Sequence, residues 1–232
     1  MKSKQRASTF VGQMVAAVAI VNLWLAALAG GANAADAAAP IRIVAFGDSL
    51  TAGYMLKPDA AFPVQLEAAL KVKGVAADIT NAGVSGDTTA AGLERFDWAI
   101  PEGTEAVILE LGANDALRGI DPDETRKNLD SLLTKLREKN IDVLLTGMLP
   151  PKNWGKDYEQ RFGTIYADLA ERHGALLYPF FLEGVALDAK LNLQDGLHPT
   201  EAGVGVIVKN ILPKVEELIA RVRERRIATS KS

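Results

Sequence analysis

The chain has 232 residues, 26 Lys and Arg against 29 Asp and Glu, and a formal charge of −3. That acidic balance argues against nucleic acid as a partner, and the one basic run, "RVRERR" near the C-terminus, suits a solvated helix end where cations complement the dipole. No cysteine is present, which excludes a disulfide framework, a lipid-modified cysteine and a thiolate zinc site, so the fold must stand on its core alone.

Residues 1–34 read as a secretory signal peptide. "MKSKQR" supplies a basic start, residues 10–30 an apolar stretch, and "GANA" a small-residue cleavage site before Ala35. The rival reading is an uncleaved anchor, because the apolar stretch approaches the roughly 20 residues that span a bilayer. Cleavage would leave the protein periplasmic or secreted, without stable insertion in the membrane. A small-residue linker follows over 35–40. The rest fits one domain of ordinary size over 41–225, with a flexible tail over 226–232.

Within that domain apolar runs alternate with helical patterns. Strands are expected at 41–46, 77–81, 106–111, 142–147 and 175–178, and helices at 61–73, 88–98, 122–140, 157–173 and from 201 to about 225. Every strand except 77–81 carries at least three consecutive apolar residues, the pattern of strands buried on both faces. In the helix at 122–140, Leu129, Leu132, Leu133 and Leu136 fall on one face, and Asp121 before Pro122 reads as N-cap then first helical position. The alternation predicts an α/β fold: a three-layer α/β/α sandwich around a five-stranded, doubly wound parallel sheet.

Such sheets bind ligands beyond the carboxyl ends of their strands. The segments there are "GDSLTAGY", "AGVSGDTT", "GANDALRG" and "MLPPKNWG", with "QDGLHPTEAG" before the last helix. Serine hydrolysis needs a nucleophile, a base, a group that orients the base, and donors for an oxyanion. Ser49 offers a nucleophile, although a serine here could equally cap a helix. The chain has two histidines. His198 lies three residues after Asp195 across a Gly196 turn and is the stronger base; His173 precedes Gly174 at a helix end, where a cation suits the dipole. Asn114 offers a side-chain amide and Gly86 a backbone N–H, which with the N–H of Ser49 could make a three-donor hole. Asp48, Asp87 and Asp115 read as loop-anchoring and capping residues. No carboxylate cluster has metal-ligand spacing, and no cofactor is called for.

The segments "FGDSLTAGY", "AGVSGDTTAAGLERF", "LELGANDALRG" and "DGLHPT" resemble, in order and spacing, the four blocks of the SGNH hydrolases, also called GDSL esterases and lipases. The likeness is greatest to the bacterial periplasmic branch of thioesterases, lysophospholipases and arylesterases. It implies a flavodoxin-like SGNH hydrolase fold, with Ser49 as nucleophile, His198 as base, Asp195 as its orienter, and Gly86 and Asn114 as oxyanion donors with Ser49. Gly83 shares the second block, but the "SGDT" match points to Gly86. There is no G-x-S-x-G, so the α/β-hydrolase nucleophile elbow is absent.

The resemblance implies a monomeric enzyme that cleaves small-molecule acyl or aryl esters, with thioesters and lysophospholipids as further substrates, through an acyl-enzyme. Tyr54, Leu56, Leu117, Ile120, Leu149 and Pro150, on loops beside the site, are the candidate substrate contacts. Two other readings stand beside this one: a carbohydrate O-acetyl esterase, which would want polar groups in the groove, and a binding protein that has kept the frame without the catalysis.

Overall fold

The computed structural model describes residues 39–230. The expected signal peptide and residues 35–38 of the linker lie outside the described residues. Residues 40–224 form one compact unit. In chain order its strands are β1 (Ile41–Gly47), β2 (Ala77–Gly83), β3 (Ala106–Glu110), β4 (Asp142–Thr146) and β5 (Leu176–Tyr178). The helices are α1 (Ser49–Ala52), α2 (Phe62–Val72), α3 (Thr89–Ala99), α4 (Ala113–Arg118), α5 (Pro122–Glu138), α6 (Lys156–Gly163), α7 (Ile165–His173) and α8 (Glu201–Thr229).

All neighbouring strands pair in parallel, in the order β2-β1-β3-β4-β5. The sheet is the five-stranded, doubly wound one expected from the sequence, flanked by helices. β1, β3 and β4 are buried along almost their whole length, as their unbroken apolar runs require, whereas β2, an edge strand without such a run, is buried only at Ile79 and elsewhere exposed or half-buried. The chain reverses its direction of travel across the sheet between β1 and β3, and there the loops leaving the strand ends part to form a crevice. Ser49 follows β1 and Asn114 follows β3, so the switch point brings the first and third motifs together.

α5 shows how local sequence secures a helix. The Asp121 carboxylate accepts the Asp123 N–H at 3.0 Å, Pro122 takes the first helical position, and Leu129, Leu132, Leu133 and Leu136 are fully buried. Truncating one of these leucines to Ala would cost about 2–5 kcal/mol.

The structure departs from expectation at three places. The segment 157–173 is two helices, broken at Gly163 and Thr164, where a glycine and a β-branched residue in succession weaken the helix. α8 continues past the expected end at Arg225 to Thr229, so most of the tail expected to be flexible is helical. It also passes through Pro213, which removes a backbone bond; burial of Ile211, Val215, Leu218, Ile219 and Val222 along the same helix outweighs that loss. Lastly, α1 and α4 are helices that the sequence reading leaves as loop.

Candidate active site

β1 delivers its last residue, Gly47, into a tight turn in which Asp48 caps α1. The Asp48 Oδ1 accepts the Leu50 N–H at 2.9 Å. The cap is therefore the aspartate, and Ser49 is the first residue of the helix, free to use its hydroxyl elsewhere. The Ser49 Oγ lies 3.0 Å from His198 Nε2. On the other side of the ring, His198 Nδ1 lies 2.7 Å from Asp195 Oδ2. Asp195 Oδ1 accepts the N–H groups of Leu197 at 2.9 Å and His198 at 3.1 Å. Those backbone bonds, with the His198 side chain adding to them, hold the Asp195 carboxyl down to about 2. It is a carboxylate at neutral pH and fixes the imidazole beside it. The Tyr54 ring packs against that of His198, tilted, with 4.5 Å between centroids.

Three loops meet beside the serine. Asn114, in the first turn of α4, donates both amide hydrogens: one to Asp48 Oδ2 and one to the Asp87 carbonyl, each at 2.9 Å. Both partners are acceptors, which sets the orientation of the amide without ambiguity. Gly83 donates its N–H to Asn81 Oδ1 at 3.0 Å and is engaged there. The N–H groups of Ser49 and Gly86 meet no acceptor among the described residues. They are free to receive a negative oxygen.

Beneath the turn lies a carboxyl pair. Glu110 is fully buried; its Oε2 accepts from Thr51 Oγ1 at 2.7 Å and from the Asp48 N–H at 3.3 Å, while its Oε1 has no partner among the described residues. Burial, and then the charge of Asp48, raises Glu110 well above the usual carboxyl range. Burial also pushes Asp48 up to about 6, against the pull of the Leu50 and Asn114 bonds. Two unscreened negative charges under Ser49 would repel, and of the two carboxyls Glu110 is biased the more strongly toward its neutral form.

A cavity of about 560 Å³ opens beside Ser49 and His198, walled mainly by apolar side chains. Of the expected substrate contacts, Leu117, Leu149 and Pro150 line it. Tyr54, Leu56 and Ile120 do not. Tyr54 lies on His198, Leu56 turns inward against the core, and Ile120 follows the left-handed Gly119 turn that ends α4 and leads the chain away.

Comparison with known proteins identifies the family. Residues 45–206, which contain Ser49, Gly86, Asn114, Asp195 and His198, match the model of the GDSL-like Lipase/Acylhydrolase family. The chain belongs to that family. An arylesterase of Vibrio mimicus is 37% identical over 159 residues, 68% of this chain and 80% of the relative. The thioesterase 1/protease 1/lysophospholipase L1 of Escherichia coli K12 is 34% identical over 184 residues, covering 79% and 87% of the two chains. Among solved structures, AlinE4, a SGNH-hydrolase family esterase, aligns with a TM-score of 0.66 and 46% identity over 77% of this chain and 96% of its own. Family and relatives together make the protein a carboxylic ester hydrolase acting on small-molecule esters.

Several residues of this hydrolase's site escape a reading of the sequence. Met148, Phe180, Leu182, Leu187 and Leu197 wall the cavity, but most come from the irregular segment between β5 and α8, which has no period to betray a buried face. Arg95 is also hidden in the sequence. It is 6% exposed, pairs with Asp87, donates to the Gly47 carbonyl at 2.9 Å and lies 4.1 Å over the Phe46 ring. One guanidinium thereby ties the second loop to the end of β1. The only signal for it is its place eight residues after Asp87 in the second block.

Proposed function

We propose that the protein is an exported serine esterase in which Ser49, His198 and Asp195 act as nucleophile, base and orienter. The observation that carries this reading is the continuous hydrogen-bonded chain from Ser49 Oγ through His198 to Asp195, at 3.0 and 2.7 Å, at the edge of an apolar cavity. Ser49 Oγ attacks the ester carbonyl carbon as its proton passes to His198 Nε2. The carbonyl oxygen becomes an oxyanion and is received by the N–H groups of Ser49 and Gly86 and by Asn114, which shares a hydrogen it otherwise gives to Asp48 or Asp87. When the tetrahedral adduct collapses, the C–O or C–S bond to the leaving group breaks and His198 returns the proton to it. Water then attacks acyl-Ser49 with His198 as base, releasing the carboxylic acid and the free serine.

The apolar walls favour medium acyl or aryl groups, and the names of the relatives extend the same reading to thioesters and lysophospholipids. Each methylene buried there contributes about 0.8 kcal/mol, roughly a fourfold gain in binding. kcat/KM on p-nitrophenyl esters should therefore climb with acyl length until the cavity is full, and Ser49→Ala should abolish turnover with its thermal midpoint intact. A Ser49→Ala protein that retains wild-type turnover would sink the nucleophile assignment. A preference for acetate over every longer acyl group would instead remove the acyl-cavity reading. Export rests on the sequence of residues 1–34 alone, and N-terminal sequencing of the purified natural protein should find Ala35 or a near neighbour first. Met1 on a membrane-bound form would overturn it.

A further inference from the structure

Arg118 stands in the last turn of α4, four residues after Asn114, so the two side chains share one face of that helix. Both reach the same loop. Asn114 Nδ2 donates to the carbonyl of Asp87 at 2.9 Å, and Arg118 Nη2 donates to the carbonyl of Gly86 at 2.8 Å. Two consecutive carbonyls of the second loop are thus drawn toward one helix. The helix itself is held from outside, because Trp154 Nε1 donates to the Ala116 carbonyl at 2.8 Å and the indole packs against Gly119.

The loop needs such a hold. Residues 84–86 are exposed, and Gly86 sits at φ +88, a left-handed conformation for which glycine is suited and which an exposed glycine leaves easily. A Cβ built on Gly86 would come 3.8 Å from Arg118 Nη2, so the guanidinium lies alongside this residue. A basic side chain in the last turn of a helix ordinarily serves its own dipole and terminal carbonyls. Arg118 instead spends its hydrogen bond on the carbonyl of Gly86, the residue whose N–H is free.

We propose that Arg118 is a positioning residue of the oxyanion hole. By gripping the Gly86 carbonyl it keeps Gly86 in its left-handed conformation, aims the Gly86 N–H at the oxygen that becomes negative, and sets a fixed positive charge at the rim. This rests on Gly86 being an oxyanion donor in the reaction proposed above. Removing a donor outright typically lowers kcat about 10²–10³-fold; loosening one that remains present should cost about tenfold.

The test compares wild type, Arg118→Ala and Arg118→Lys on a p-nitrophenyl ester. kcat and KM are measured separately, together with the rate of inactivation by a p-nitrophenyl alkylphosphonate, whose phosphoryl oxygen seeks the same donors. Arg118→Ala should lower kcat about tenfold with KM within about twofold, the signature of an interaction made mainly in the transition state, and inactivation should slow in parallel. Arg118→Lys, which keeps one donor and the charge, should recover most of both rates. Thermal midpoints should be unchanged, because the side chain is exposed. The proposal is overturned if Arg118→Ala turns over at the wild-type rate, if only KM rises, if Arg118→Lys is no better than Arg118→Ala, or if the lost rate tracks a lowered thermal midpoint. A wild-type enzyme inert toward every ester would fail the parent reading instead, and the two failures are told apart by that control.

Discussion

His173 and His198 each place one ring nitrogen 2.7 Å from an aspartate. Their surroundings differ in everything else. His173 ends α7, with its side chain 5% exposed; its Nε2 meets Asp130 on α5, and its Nδ1 is buried without a partner among the described residues. His198 lies in the loop before α8, 21% exposed, and turns its second nitrogen to Ser49 at the mouth of the cavity. A histidine and an aspartate at hydrogen-bond distance are therefore no evidence of catalysis. What distinguishes the second pair is the use of the remaining nitrogen: it faces a hydroxyl in a crevice where an ester can enter, whereas that of His173 faces the packed interior. The first pair joins two helices, and the second is the one the proposed mechanism uses.

The largest effect that can break this comparison is on turnover. In the proposed mechanism His198→Gln removes the base and should cut kcat by about 10³-fold or more, while His173→Gln should keep it within about twofold. A larger loss in His173→Gln than in His198→Gln would mean that the roles are exchanged. Next in size is Asp195→Asn, which leaves the ring in place but without its charge partner and its preferred tautomer. kcat should fall by about 10²–10⁴-fold without reaching zero, because the oxyanion donors remain. Full activity in Asp195→Asn would show that the backbone bonds to Leu197 and His198 suffice to place the imidazole.

The parts of the candidate site legible in the sequence share a property: each is a short block directly after a strand or a turn, where chain order fixes the neighbourhood and the family resemblance suggests the role. Ser49, Gly86, Asn114, Asp195 and His198 are all of this kind, and the strand pattern correctly placed the first three at one edge of the sheet. The parts that were not legible depend on contacts between blocks. Glu110 reads as one more strand residue until Thr51 and the Asp48 N–H are found on its Oε2. Arg95 and Arg118 look like solvated charges until their carbonyl partners are known. α1 and α4, four and six residues long, are too short to display a 3.6-residue period. Met148 and Leu187 reveal their place in the cavity wall only through the path of a loop that no propensity dictates.

The smallest effect concerns Asp130, and it sharpens the comparison because stability and activity should separate. The His173 bond, followed by the guanidinium of Arg172, holds the Asp130 carboxyl below the usual carboxylate value of 3.8. A carboxyl whose value is lower folded than unfolded stabilises the fold while it is charged. That contribution is complete above 3.8, the value of the unperturbed group, and is lost as pH falls through the lowered folded value. The pair is partly exposed, so solvent screening keeps the contribution small. Asp130→Asn should accordingly lower the thermal midpoint near pH 6 by a modest amount, and the gap to wild type should close on acidification toward pH 3 and below. Turnover should be unchanged throughout, since neither Asp130 nor His173 touches the cavity. The check is a series of melting curves for both proteins from pH 6 downward, beside an ester assay at neutral pH. A gap that widens as pH falls would contradict the linkage. A fall in turnover without a fall in midpoint would mean that the α5 to α7 pair is wired to the active site after all.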